Sequence, residues 1–288
     1  MTLGIDVNEI IKDLREKSVI DGTTKVLNKM NGTTEGLVYT LTVSDSPKYV
    51  LKLDSSENIF LVEQLHQAYL NSTLLPKLLY IDPAKTFIVY VYTAGTTHFN
   101  RGTKIDWLTV LIKDLLNHYE IYQQTDKWGY WLEDPCETWH NFIDRGVEYA
   151  RINVGSCLPV EDYYKVKSFV RNISTGEGYE RFLLHGDCGV HNFVFEQNAI
   201  TRVIDPSPMV GPVIYDFIYA FCSSPDDLNL ETLISTFTLL NHKPIGRARL
   251  IEEVIIQLYC RIGICLKHHP YDSAEYLKAW SYWKALVP

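Results

Sequence analysis

The stretch Leu183–Asp216, which reads LLHGDCGVHNFVFEQNAITRVIDPSPMVGPVIYD, contains the most informative pattern in the chain. One apolar run leads into the tripeptide His-Gly-Asp, which ends at Asp187, and Asn192 follows Asp187 by five residues. A second apolar run leads into Asp205, which lies eighteen residues after Asp187. Short apolar runs bounded by turn residues are typical of strands, so these polar residues are predicted to follow or precede strands.

The order and spacing of these three side chains match the needs of phosphoryl transfer. That reaction uses a carboxylate to accept the proton of the attacking hydroxyl, and two oxygen ligands that hold Mg²⁺ against the phosphates. Asp187 fits the first part, and Asn192 and Asp205 fit the second. Each fragment alone has an ordinary explanation, because His-Gly-Asp can form a turn and Asp-Pro can follow a strand. Their combination in this order favours the catalytic interpretation.

The HGDxxxxN pattern around Asp187 resembles the aminoglycoside phosphotransferase and choline kinase superfamily. The segment Ile-Asp205-Pro-Ser-Pro, followed by Gly211 and by Tyr-Asp216, is most similar to the streptomycin-type aminoglycoside or hydroxyurea kinase branch. That branch has Gly-Asp-Pro where this chain has Gly-Pro-Val from Gly211, so the branch and the substrate stay open. The resemblance also implies that Asp216 steadies the catalytic loop from the following helix.

The resemblance implies a protein-kinase-like fold of the α+β class with two lobes. The N-terminal, nucleotide-binding lobe is expected over residues 1–94, with a five-stranded antiparallel sheet and a helix. The larger, mainly helical lobe over residues 95–288 is expected to be catalytic and to bind the substrate. The periodicity of the first lobe agrees, because short Val-, Leu- and Tyr-rich segments at 25–30, 37–43, 49–53 and 87–92 read as strands. The periodicity after residue 106 is helical.

Four residues of the first lobe are expected to bind the nucleotide, on the basis of the resemblance. Lys52, in the apolar strand Tyr-Val-Leu-Lys-Leu, would bind the α- and β-phosphates. Glu63, on a helix predicted over 57–70, would pair with Lys52, and Glu57 is the alternative partner. The segment around Val91 and Thr93 would hold the adenine edge through its backbone. The Asn-Gly turn at 31–36 falls where a phosphate-covering loop is expected, although it lacks a GxGxxG pattern.

The second lobe is predicted to contain seven helices besides the catalytic stretch. They are expected at about 104–124, 136–150, 160–172, 215–221, 228–240, 247–267 and 273–286. The aromatic loop at 126–135 is compatible both with a wall for a polar ligand and with side chains packed beneath a loop. Cys188, next to Asp187, is interpreted as a packing residue, because no His–Cys arrangement activates it.

Composition limits the remaining possibilities. The net charge of −8 argues against nucleic-acid binding, which needs a basic face, and is compatible with a cationic substrate. No apolar run approaches the ~20 residues that span a bilayer, so no membrane association is expected. Six cysteines without a CxxC pair indicate reduced thiols and a cytoplasmic location. The sequence leaves open whether the chain is a monomer or a homodimer.

The expected function is therefore phosphotransfer from ATP, with Mg²⁺, to a hydroxyl of a small molecule, and the acidic net charge is compatible with a cationic one. The resemblance favours an aminoglycoside-type antibiotic as the acceptor. Choline, homoserine, a macrolide or a sugar-amine are the alternatives. A kinase-fold binding protein without turnover is a second hypothesis, although such a protein has no chemical need for Lys52, Asp187, Asn192 and Asp205 together. A protein kinase is a third, and the absence of an Ala-Pro-Glu segment after Asp205 counts against it.

Overall fold

The computed structural model describes residues 6–30, 37–97, 99–173 and 179–287. The chain divides into two compact units, Met1–Gly95 and Thr96–Pro288. The boundary predicted from the sequence falls between residues 94 and 95. The turn at 31–36, which is expected to cover the phosphates, lies outside the described residues.

The first unit contains a five-stranded antiparallel sheet, as the sequence predicts. Its strands follow the order β1-β2-β3-β5-β4, with β5 between β3 and β4. The elements are α1 (Val7–Glu16), β1 (Lys25–Met30), β2 (Leu37–Val43), β3 (Ser46–Leu53), α2 (Ser56–Ala68), β4 (Leu78–Ile81) and β5 (Phe87–Val91).

The two faces of this sheet pack against different helices because successive side chains of a strand point to opposite faces. Leu51 and Leu53 of β3 pack with buried residues of α1. The other face carries Val50, which packs with Ile88 and with buried side chains of α2. Lys52 lies between Leu51 and Leu53 and pairs in register with Ile88, so the alternation places its side chain on the α2 side of the sheet.

The second unit is mainly helical and contains two short antiparallel strand pairs, β6 with β9 and β7 with β8. Its elements are α3 (Lys104–Asp114), α4 (Trp139–Val154), α5 (Val160–Arg171), β6 (Phe182–Leu184), β7 (Phe193–Glu196), β8 (Ala199–Val203), β9 (Met209–Gly211), α6 (Val213–Cys222), α7 (Leu230–Phe237), α8 (Arg247–His268) and α9 (Ser273–Lys284). Both units together have the predicted α+β composition. None of the helices in the described ranges combines the length and apolarity needed to cross a bilayer.

The first long helix predicted for this unit, over 104–124, is wrong in length. α3 ends at Asp114, where Leu115 leaves the helical region with φ −135° and ψ −64°, and only a short 3₁₀ turn follows. The apolar pattern continues past α3 because Tyr119 and Tyr122 are buried, although the segment that carries them is not α-helical. Burial alone therefore imitates a helical pattern here.

The aromatic loop at 126–135 packs into the unit at its first aromatic residue. Trp128 is buried, and its ring lies 5.9 Å from that of Trp139 on α4. The backbone of Gly129 exchanges hydrogen bonds with Val210 of β9. Trp128 therefore packs beneath the loop, which is the second of the two interpretations that the sequence allows.

Candidate active site

The loop from His185 to Asn192 joins β6 to β7 and carries the first two candidate residues. Gly186 has φ +80°, and a Cβ at this position would overlap the carbonyl oxygen of Ser207. The Ser207 N–H donates to the His185 carbonyl over 2.9 Å, which holds the two segments together. A glycine is therefore required next to Asp187 both by the backbone conformation and by the close approach of a second chain segment.

Asp216 anchors this loop from the first turn of α6. Its buried carboxylate accepts hydrogen bonds from the backbone N–H of His185 at 2.9 Å and of Gly186 at 3.2 Å, and from the Tyr119 hydroxyl at 2.7 Å. Burial raises the pKa of Asp216 to about 6, although the donors from Tyr119, Gly186 and His185 act in the opposite direction. The contacts that the resemblance implied for Asp216 are present in the structure.

The carboxylate of Asp187 is held by three side chains. Oδ1 accepts the Tyr219 hydroxyl at 2.7 Å, Oδ2 accepts the Asn192 amide at 2.8 Å, and His191 Nε2 lies 3.1 Å from both oxygens. Burial by itself would raise the pKa of Asp187, but the hydrogen bonds from His191 and Tyr219 outweigh it and lower the pKa to about 2. The group is therefore an oriented carboxylate, ionised at neutral pH.

The tertiary structure brings Asn192 and Asp205 together. The Asn192 side-chain amide donates to the backbone oxygen of Asp187 at 3.0 Å and approaches that of Asp205 at 3.5 Å. The Ile204 N–H donates to the Asn192 carbonyl over 2.8 Å, so the segment after β8 lies beside the catalytic loop. Asp205 adopts φ +54°, which is uncommon for a residue with a side chain.

These residues fit a magnesium ion chemically. The amide nitrogen of Asn192 is engaged with Asp187, while the Asn192 amide oxygen receives no hydrogen bond from the described residues. An amide oxygen and the carboxylate of Asp205 are hard oxygen donors of the kind that Mg²⁺ prefers. The described ranges hold no group of three His, Cys, Asp or Glu side chains that could bind a metal by itself.

The expected ion pair between Lys52 and Glu63 is wrong. Glu63 bonds to Lys85, with 2.6 Å between the carboxylate oxygen and Nζ. Lys52 Nζ lies 3.2 Å from Asp54 Oδ2 instead. The alternative partner, Glu57, is exposed in the first turn of α2. Sequence reasoning assigns the pair by position in the family pattern and overlooks Asp54, two residues from Lys52.

The backbone around Val91 and Thr93 is only partly available to a ligand. The Val91 N–H donates to the Lys77 carbonyl, and the Tyr92 N–H donates to the Lys48 carbonyl, both over 2.9 Å. The Thr93 N–H has no hydrogen bond to any described residue. Of the two predicted positions, Thr93 therefore keeps an available donor, and the N–H of Val91 is engaged within the sheet.

Sequence reasoning misses two residues that touch Asp187. His191 looks like a loop residue without a task, and nothing in the motif itself points to Tyr219. Tyr219 follows Asp216 by three residues, so both lie on one face of α6, and this spacing is an available signal. Cys188 is fully buried and its pKa is raised well above the ordinary value by burial, which agrees with the packing interpretation.

The fold is that of aminoglycoside phosphotransferases. The ADP-bound aminoglycoside phosphotransferase APH(2'')-Ib matches 98% of this chain over 98% of its own, with a TM-score of 0.55 and 17% sequence identity. The GDP complex of aminoglycoside 2'-phosphotransferase-IIIa matches 98% of this chain over 99% of its own, with a TM-score of 0.60 and 13% identity. A candidate fructosamine-3-kinase from Thermobifida fusca YX-ER1 matches 97% over 99%, with a TM-score of 0.60 and 14% identity. No protein-family model and no curated protein sequence matches the chain.

Proposed function

We propose that this chain transfers the γ-phosphate of ATP to a hydroxyl of a small molecule. The observation that carries the proposal is the fixed carboxylate of Asp187, held by Tyr219, His191 and Asn192 next to the backbone of Asp205. The protein-kinase-like fold supports it independently. A binding protein without turnover would not need a partly buried, oriented carboxylate beside two potential metal ligands.

Asp187 would orient the acceptor hydroxyl and take its proton as the bond to phosphorus forms. Its low pKa suits this part, because the transition state of phosphoryl transfer is loose and the hydroxyl needs positioning more than a strong base. Tyr219, His191 and Asn192 restrict the carboxylate to one orientation, which lowers the entropic cost of reaching the reactive geometry.

Asn192 and Asp205 would hold Mg²⁺ through the amide oxygen and the carboxylate. The ion would neutralise charge on the phosphates when bound. Lys52, on the α2 side of the first sheet, would contact phosphate oxygens as a point charge. Thr93 would donate its free N–H to the adenine edge, and Val91 would contribute only its carbonyl, because the sheet already uses its N–H.

We infer that an aminoglycoside-type antibiotic is the leading acceptor. Several neighbours of this fold are aminoglycoside phosphotransferases, among them structures described with streptomycin or hygromycin B. The net charge of −8 is compatible with a cationic acceptor. Choline, homoserine, macrolides and sugar-amines are the other acceptors to test, the last because of the candidate fructosamine-3-kinase. Six unpaired thiols support a cytoplasmic location.

The test is Mg²⁺-dependent release of ADP from ATP across a panel of these compounds, with native protein and the Asp187→Asn variant measured together. We expect one compound class to stimulate release, and the variant to lose about a thousandfold in kcat while its ATP affinity stays nearly native. Asp272→Asn, an exposed carboxylate before α9, is the control for charge removal. Full activity of Asp187→Asn would refute the assignment of the base, and failure of native protein to bind Mg-ATP would favour the binding-protein hypothesis.

A further inference from the structure

Lys52 has a carboxylate neighbour within its own chain segment. Asp54 Oδ2 lies 3.2 Å from Lys52 Nζ, and the two side chains are only 8% and 13% exposed. Two residues apart at the end of β3, they lie on the same side of the extended chain. An ion pair this sheltered from water is screened less than a surface pair, so it constrains where the ammonium group lies.

The second oxygen of Asp54 is fixed to the start of α2. Oδ1 accepts the Ser55 N–H at 2.8 Å and the Asn58 side-chain amide at 3.0 Å. The helix does not need Asp54 as its cap, because Ser55 fills that position and accepts the Asn58 N–H at 3.1 Å. Burying a carboxylate is costly unless it is paired. Helix capping does not explain why the Asp54 carboxylate is buried, whereas its pairing with Lys52 does.

The helix glutamate at the expected position is engaged elsewhere. Glu63 bonds to Lys85, and this contact ties α2 to the turn between β4 and β5. Both side chains are partly buried, at 20% and 28% exposed, and the bond of 2.6 Å is short. Glu63 is therefore engaged with Lys85 rather than with Lys52.

We propose that Asp54, rather than a glutamate of α2, is the residue that positions Lys52 for the phosphate groups of a nucleoside triphosphate. This inference rests on the proposed function. One oxygen of Asp54 is held at the start of α2 and the other faces Lys52. The position of the ammonium group is therefore linked to the first turn of α2, and not to the middle of the helix where Glu63 lies. Asp54 acts through Lys52 and is a positioning residue, not a catalytic one.

The test compares Asp54→Asn, Glu63→Gln and Glu57→Gln by titration with Mg-ATP and by steady-state kinetics. Asn keeps the shape of the side chain and an oxygen for the Ser55 N–H, but it removes the charge that faces Lys52. We expect Asp54→Asn to weaken Mg-ATP binding and to raise the KM for ATP, each about tenfold, as for loss of a charged hydrogen-bond partner. Glu57→Gln removes an exposed charge from the first turn of α2 and is the matched control. It should leave both the Mg-ATP affinity and the KM for ATP unchanged.

A double-mutant cycle with Lys52→Met separates positioning from general structural damage. If Asp54 acts through Lys52, Asp54→Asn should weaken Mg-ATP binding less than twofold further in the Lys52→Met background. A full tenfold loss in that background, or a larger effect of Glu63→Gln than of Asp54→Asn in the native background, overturns the assignment of Asp54. Native protein that binds no Mg-ATP overturns the proposed function itself, together with this role of Asp54. Native binding that Asp54→Asn leaves intact overturns only the role of Asp54.

Discussion

Replacing Gly186 by alanine should destabilise the second unit and displace the catalytic loop. The residue has φ +80°, a region that costs L-residues roughly 1–2 kcal/mol. The new Cβ would also lie 2.9 Å from Met209 Cγ and 3.0 Å from the Ser207 carbonyl carbon, and it would overlap the Ser207 oxygen. Ser207 has to move, which strains its 2.9 Å hydrogen bond to the His185 carbonyl, worth about 1 kcal/mol.

The net expected loss is about 2 kcal/mol in the free energy of unfolding. The strain and the lost hydrogen bond total about 2–3 kcal/mol, and the lower entropy of the unfolded alanine variant returns about 0.4–1 kcal/mol. Gly146→Ala is the matched control. Gly146 lies on α4. Apart from its chain neighbours and the backbone of its own helix, no described atom comes within 4 Å of the position that an alanine Cβ would take, so alanine there should stabilise the protein by about 0.5–1 kcal/mol.

Urea unfolding, monitored by tryptophan fluorescence, measures the free energy of unfolding of both variants in the unit that contains the two glycines. All six tryptophans of the chain lie within Thr96–Pro288, together with both glycines, so the signal reports that unit alone. The two substitutions add the same methyl group and should change stability in opposite directions. A Gly186→Ala variant as stable as Gly146→Ala would refute the conclusion that the backbone at Gly186 requires glycine.

Three further results are expected. Because the pKa of Asp216 is raised from 3.8 to about 6, its ionisation opposes folding as pH rises through this interval. Native protein should therefore lose about 3 kcal/mol between pH 3 and pH 7 relative to Asp216→Asn, measured by urea unfolding at each pH. Tyr219→Phe, which removes the 2.7 Å bond to Asp187, should lower kcat about tenfold with little change in the KM for ATP, and an equal change in both would contradict a role at the carboxylate. Glu63→Gln should cost at most about 1 kcal/mol of stability, since its partly exposed pair with Lys85 is a modest contribution; a larger loss on thermal unfolding would show that this contact holds α2 in place.

The elements that depend on local pattern were predictable from the sequence. The strands β1 and β2 begin and end at the predicted residues, because alternation and turn residues are local signals. The predicted helix over 104–124 failed where a buried, irregular segment continued the apolar period beyond Asp114. Periodicity records which residues are buried, and it does not record how the backbone buries them.

The candidate site divides in the same way. Asp187 and Asn192 are five residues apart in one loop, so their proximity follows from the sequence itself. The Tyr219 contact depends on where α6 packs against the loop, and short-range patterning carries no direct information about that packing. The partner of Lys52 was assigned to Glu63 incorrectly because the sequence offers more than one carboxylate close to Lys52. Which carboxylate contacts the ammonium group depends on the direction of each side chain, and that is a property of the folded structure.

The order of elements, the α+β class and the three polar residues of the catalytic stretch could all be read from the chain, because they depend on spacing and alternation along it. The donors that hold the base, the contact between Asp54 and Lys52, and the lack of room for a side chain at Gly186 emerge from the folded structure. Hydrogen bonds and steric contacts form only between atoms within a few ångströms of each other, and packing is what brings together residues more than thirty positions apart in the chain, as Tyr219 is from Asp187.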